Sequence, residues 1–258
     1  MTDEFTSDRG LTVSRGGTGE TLVVLLHGLG ANCAVWSRMT EIAGRSWSGR
    51  WLAPDFRGHG GSPAQGPFGY GAHAADIADL IKNEDPAKVT LAGHSFGGVI
   101  AALAGSGLYG PPVADIAAFG VKVVWSAEET AKAHEMAARP AKTFATREEA
   151  IERALKLAGL SGLADATSDV TEAGIVADGP GWRVAFDPRV FGAVGPSVPD
   201  LLRLAPNLRL AAGDKDPMVS LADMRALDRA ARTFPGAGHN VHWEAPDAVW
   251  DFLNKKDA

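Results

Sequence analysis

Lys88-Val89-Thr90-Leu91-Ala92-Gly93-His94-Ser95-Phe96-Gly97-Gly98 is the stretch whose reading decides the fold. Lys88 to Ala92, with Val89 and Leu91 apolar, reads as a buried strand. It runs into a glycine-flanked serine and passes straight into a small-residue helix, Val99 to Ala104. Gly93-His94-Ser95-Phe96-Gly97 matches Gly-x-Ser-x-Gly, and the strand before it and helix after it give the motif the context its chemistry needs. A serine that must stand exposed on a very sharp turn leaves room only for small neighbours, which Gly93, Gly97 and Gly98 supply. The turn also sets the hydroxyl at a helix N-terminus, where developing negative charge is favoured.

Upstream, Leu22-Val23-Val24-Leu25-Leu26 is a continuous apolar run closed by His27-Gly28, the pattern of a strand buried on both faces of a parallel sheet. Asn32 can cap the following segment, in which Trp36, Met39 and Ile42 recur at helical spacing. Trp51 to Pro54 is a second strand, followed by Asp55-Phe56-Arg57-Gly58-His59-Gly60-Gly61-Ser62. The next helix carries Tyr70, Ala74, Ile77 and Ile81 on one face and stops near Asp85-Pro86. Strands alternating with helices indicate βαβ units.

Downstream, Val121 to Trp125 reads as a further strand, and then the rhythm breaks. Ser126 to about Arg203 holds two capping boxes, Ser126 with Glu129 and Thr146 with Glu149, with helix stops at Pro140 and Gly159. Only Trp182 to Phe186 suggests a short strand there. The sheet pattern resumes at Leu208 to Ala212 and Ala231 to Phe234, and a last amphipathic helix covers Asp247 to Leu253. The expected fold is α/β, a mostly parallel central sheet flanked by helices, with an inserted helical cap. Its expected division is a first core part at 1–125, the cap at 126–203 and a second core part at 204–258.

The 258 residues, 45% hydrophobic and 22% charged, suffice for one large core with an insertion. A net charge of −6 without any Lys/Arg cluster argues against a nucleic-acid partner. The single cysteine, Cys33, leaves the fold without an internal disulfide, as in a reducing compartment. Met1 to Gly10 has no apolar segment of the signal-peptide kind, and no apolar run approaches the roughly 20 residues that span a bilayer. The expectation is a soluble, cytoplasmic protein with no membrane association. No cluster has metal-ligand spacing and no Gly-x-x-x-x-Gly-Lys loop occurs, so no metal and no cofactor is expected.

Four motifs in order make the chain resemble the α/β-hydrolase family from about Leu22 to Phe252. They are His27-Gly28-Leu29-Gly30, Asp55 to Ser62, the Ser95 turn and Gly238-His239. The resemblance implies Ser95 as nucleophile and, of the seven histidines, His239 as its base, because it follows the turn after the last strand. His242 competes and is read as structural beside Trp243. His94 should point away from the nucleophile, His27 and His59 should shape loops, and His73 and His134 read as surface or helix residues. The resemblance also selects Asp216 of Gly213-Asp214-Lys215-Asp216-Pro217 as the acid. Pro217 holds Asp216 extended, while Asp214 stays open as the alternative and Glu128 as a remote third. Backbone N–H groups of Leu29 and Phe96 are the expected oxyanion donors. Asp55 and Arg57 should hold their loop together, and Cys33 stands close to the site in sequence. Trp125, Trp182 and Met218 are candidate pocket liners.

These residues lead to an expected acyl transfer from a small, largely hydrophobic carboxylic ester or lactone through an acyl-enzyme. Serine at position 95 argues against the family's dehalogenases and epoxide hydrolases, which would carry aspartate. Carbon–carbon bond hydrolases, cofactor-free perhydrolases or lyases, and a non-turning-over receptor remain alternatives, since fold does not fix function. Oligomeric state is not legible in the sequence.

Overall fold

Successive side chains of a strand point to opposite faces, and here that alternation builds two cores. In strand β3 (Thr21–Leu26), Leu22, Val24 and Leu26 enter one apolar cluster while Val23 and Leu25 enter another. The computed structural model describes residues 2–205 and 207–254. Positions 1, 206 and 255–258 of the expected core segments lie outside the described residues.

The main sheet has eight strands in the order β1-β2-β4-β3-β5-β6-β10-β11. Their spans are β1 (Thr2–Thr6), β2 (Thr12–Gly17), β4 (Arg50–Pro54), β5 (Lys88–His94), β6 (Asp115–Phe119), β10 (Leu208–Gly213) and β11 (Arg232–Phe234). Pairings from β4 to β11 are parallel, whereas β1 and β2 form an antiparallel edge on β4. That edge was not foreseen: Asp3, Glu4 and Arg15 hide a strand pattern behind the charges with which edge strands avoid further pairing.

Helices α2 (Tyr70–Glu84) and α3 (Phe96–Gly105) supply the first cluster, and α1 (Ser37–Ser46), preceded by a 3-10 turn at Cys33–Trp36, supplies the second. The chain goes from β3 to β4 on one side and then to β5 on the other. The carboxyl ends of β3 and β5 therefore flank a topological switch point, where open α/β sheets place their ligands.

One expected strand was misplaced. Val121 to Trp125 is not a strand; the sheet uses Asp115–Phe119 instead, and Gly120 turns the chain out of it at φ 65°. The reason is space beneath α3. A Cβ on Gly98 would lie 3.0 Å from Ala118 Cβ and 2.5 Å from Val121 Cγ2, so at position 118 the strand under this helix leaves room for nothing larger than alanine. Val121 and Val123 are buried beyond the strand end.

Residues 126–203 stand between β6 and β10. They form helices α4 (Ala127–Ala137), α5 (Arg147–Leu157), α6 (Asp169–Glu172) and α7 (Val198–Arg203). Both expected capping boxes close. The segment also holds a three-stranded antiparallel sheet, β7 (Thr143–Phe144), β9 (Gly181–Val184) and β8 (Ile175–Asp178), of which only the β9 region was anticipated. The chain ends through α8 (Leu221–Arg225), α9 (Val241–Glu244) and α10 (Pro246–Asn254). Among the described residues no helix is long and apolar enough to cross a membrane.

The fit of α3 against β3 yields a direct test. A Cβ on Gly97 would sit 2.2 Å from the Leu26 carbonyl oxygen and 2.5 Å from that of His27, both backbone atoms that cannot turn aside. Gly97→Ala is expected to cost about 2–3 kcal/mol in urea unfolding, as overpacking does. Gly69→Ala, where an added Cβ meets nothing within 4 Å, should change the midpoint little.

Candidate active site

Ser95 sits between the end of β5 and the first residue of α3, with φ 50° and ψ −115°. A non-glycine residue held at positive φ is strained, and such strain persists where surrounding structure over-determines it. Here the Ser95 N–H donates to the Phe119 carbonyl (2.8 Å), and a Cβ on Gly93 would come within 2.3 Å of the Gly97 carbonyl oxygen. The elbow is thus locked from both sides.

His239 arrives on the loop after β11. Its Nδ1–H donates to Asp216 Oδ2 (2.8 Å), and Asp216 Oδ1 accepts from the Met218 N–H (2.8 Å). The Asp216 side chain is fully buried. Asp214, the alternative acid, instead accepts the Gly236 N–H (2.7 Å) and ties the turn before His239. Glu128 lies in the first turn of α4.

Ser95 and His239 line one cavity of about 410 Å³ with Leu29, Phe96, Trp125 and Met218. The Ser95 hydroxyl makes no hydrogen bond to the imidazole among the described residues. Among the described residues, the N–H groups of Leu29 and Phe96 also meet no acceptor. The loop that carries Leu29 is fixed next door, where the Gly30 N–H donates to His59 Nε2 (3.0 Å).

Trp182 does not reach this cavity. On β9 it packs against Phe144 and the buried face of α5, with the Arg147 guanidinium 5.8 Å from its ring centroid. Cys33 is also elsewhere, buried with its N–H on Asp55 Oδ1 (2.6 Å), and burial pushes its thiol pKa up. Asp55 bridges Cys33 to Gly61 (2.8 Å), and Arg57 makes a two-pronged ion pair with Asp76, as expected of loop-holding residues. Tyr70, Lys122 and Phe191 line the cavity without having been foreseen. They come from three separate segments, and no local pattern links them.

Five other histidines are buried around the site. His94 Nε2–H donates to the His239 carbonyl (2.9 Å), so its ring faces away from Ser95. His27 Nε2 accepts the Phe56 N–H (3.1 Å), and His242 stacks on Trp36 with centroids 4.6 Å apart. His73, read as a surface or helix residue, is on α2 but buried against Phe56 and Phe96. Burial lowers the pKa of His27 to about 4 and of His73 and His242 to about 3, and holds His59 and His94 well below their ordinary value.

Below pH ~6.5 an unfolded chain charges these rings while the fold keeps them neutral, so unfolding takes up protons. Stability is then fully present above pH ~6.5 and falls as pH drops toward about 4, with a limiting slope near 1.4 kcal/mol per pH unit for each ring. Urea midpoints at pH 7.5, 6 and 5 check this, and a flat profile would refute it.

Among the described residues no group of three His, Cys, Asp or Glu could hold a metal ion. A strained serine elbow, a buried carboxylate–imidazole pair and a switch-point cavity stand together on a mostly parallel α/β fold. The chain belongs to the alpha/beta hydrolase family, whose model matches residues 23–252.

Lipase LipV of Mycobacterium tuberculosis is 33% identical over 92 residues, covering 33% of this chain and 32% of the lipase. The match thus spans about a third of that relative's length. Among solved structures, the thioesterase domain from the curacin biosynthetic pathway superposes with TM-score 0.81 at 18% identity, over 99% of this chain and 100% of that one. An esterase from Mycobacterium tuberculosis gives TM-score 0.76 at 18% identity, over 98% and 89%. At these identities the likeness is one of fold.

Proposed function

We propose that the protein is a serine hydrolase that cleaves a small carboxylic ester or lactone through an acyl-enzyme. Its acyl or alcohol part is largely hydrophobic where it meets the cavity floor. The observation that carries this reading is the strained Ser95 opening on the same cavity as His239, whose Nδ1 is committed to buried Asp216. With that nitrogen protonated, Nε2 is the basic one and can take the Ser95 proton as Oγ attacks the carbonyl carbon. The carbonyl oxygen, now negative, is received by the free N–H groups of Leu29 and Phe96. The imidazolium returns its proton to the leaving alcohol, and water then attacks the acyl carbon with His239 again as base. Residues 126–203 act as a cap, with 1–125 and 204–258 as the two parts of the core, and Trp125 and Met218 as walls of the substrate cavity. The lipase and esterase names of the relatives favour the same chemistry.

The test is a panel of activated short-chain esters together with a fluorophosphonate probe. Ester turnover with a single labelled peptide containing Ser95 is the expected result. Labelling elsewhere, or none with no turnover, would sink the assignment.

A further inference from the structure

The two long helices over the cavity sort their charges. Helices α4 and α5 carry six carboxylates and four cations. Of the carboxylates only Glu129 lines the Ser95 cavity, and it is already held by Lys122 and by the Ser126 N–H. Of the cations, Lys132 and Lys156 line that cavity, and Arg153 lines the next.

That neighbouring cavity, of about 380 Å³, shares Met136, Leu157 and Phe191 as walls and adds Arg139 and Lys142 with no carboxylate at all. The two spaces together are lined by six cations against one carboxylate, in a chain whose net charge is −6. Among the described residues Lys132, Lys156, Arg139, Lys142 and Arg153 form no ion pair. Glu128 and Glu135 of α4, and Glu148, Glu149 and Glu152 of α5, line neither space. Beneath this rim the floor at Ser95 is apolar, built by Phe96, Val99 and Trp125 among others.

We infer that the substrate is anionic: an apolar segment next to the scissile carbonyl ends in a carboxylate or phosphate that sits against Lys132 and Lys156 and toward the basic neighbouring cavity. This deepens the serine-hydrolase reading and rests on it. Low-dielectric walls lined by one sign of charge focus the field and raise the local concentration of the opposite ion. Lys142 lies over the Phe144 ring, but Lys132 and Lys156, without an ion-pair partner among the described residues, are arranged for such a guest, whereas a wholly neutral ester would leave them unused.

The experiment compares matched pairs. Mono(4-nitrophenyl) adipate against 4-nitrophenyl hexanoate places the charge on the acyl part. Hexanoyl-coenzyme A against S-hexanoyl-N-acetylcysteamine places it on the leaving group. At about 20 mM salt at least one charged member should exceed its neutral partner by about tenfold or more in kcat/KM, within the range of electrostatic focusing. That advantage should shrink to about twofold in Lys132→Gln/Lys156→Gln and at about 0.5 M salt, where screening is nearly complete beyond ~4 Å. Glu135→Gln, a charge change on the same helix away from both cavities, should leave it intact. The pair that responds tells which end of the substrate carries the anion.

The inference is overturned if neither charged member is preferred, or if the preference survives the double lysine variant. If the wild type hydrolyses none of the four compounds, it is the Ser95 chemistry that fails. Calorimetric titration of the same compounds into Ser95→Ala, with and without the two lysine changes, then decides the charge preference by itself.

Discussion

Ser95→Ala is expected to lower kcat/KM on activated esters by at least about 10³-fold, as loss of a nucleophile does when its supporting groups remain. The residue that is left keeps the cavity and the free N–H groups of Leu29 and Phe96, so a small residual rate above water is part of the expectation. Stability should change little, because among the described residues the Ser95 hydroxyl makes no hydrogen bond and the turn is held by the Ser95 N–H on Phe119. Stopped assays with a titrated active-site probe read the rate, and urea midpoints read the fold. Turnover that survives in Ser95→Ala would place the nucleophile elsewhere.

Asp216→Asn should be nearly as severe, about 10³–10⁴-fold in kcat, while Asp214→Asn should stay within about threefold. The reason is the bonding of each oxygen. Asp216 offers Oδ1 to the Met218 N–H and Oδ2 to the His239 ring. An asparagine has one oxygen, and if Met218 claims it the amide NH₂ faces Nδ1 and makes that nitrogen the acceptor. The proton then sits on Nε2, the wrong nitrogen for a base. Among the described residues the Asp214 side chain accepts only from the Gly236 N–H, and an asparagine oxygen accepts that bond as well as a carboxylate does. The two variants, assayed side by side from pH 5 to 9, separate the candidates. Loss in Asp214→Asn alone would reverse the assignment.

Much of this arrangement is legible in the sequence because the parallel strands are continuous apolar runs and the Ser95 elbow needs glycines at fixed offsets. What escaped notice escaped for physical reasons. The charged edge of β1 and β2 resembles a polar loop. Ala117 and Ala118 lack β propensity, so the strand they form is easily missed; α3 lies too close to Ala118 for a larger side chain there, whereas the valines of 121–124 mimic a strand. Trp182 sits at a strand position whose facing partner, not its aromatic nature, decides whether it reaches a cavity. Tyr70, Lys132 and Lys156 gather only after folding, from helices whose sequence shows amphipathicity but not the direction of each face.

The bond from His94 to the His239 carbonyl carries a mechanical meaning. Ser95 and His239 belong to loops far apart along the chain, and the proton transfer proposed between them would tolerate misplacement of only about 0.5 Å. His94, the residue immediately before Ser95, grips the backbone of His239. A displacement of either loop is thereby transmitted to the other, and the gap between hydroxyl and imidazole is gauged by a single rigid ring. The chain thus couples two loops that lie far apart in sequence through a short strut in addition to the sheet that carries them.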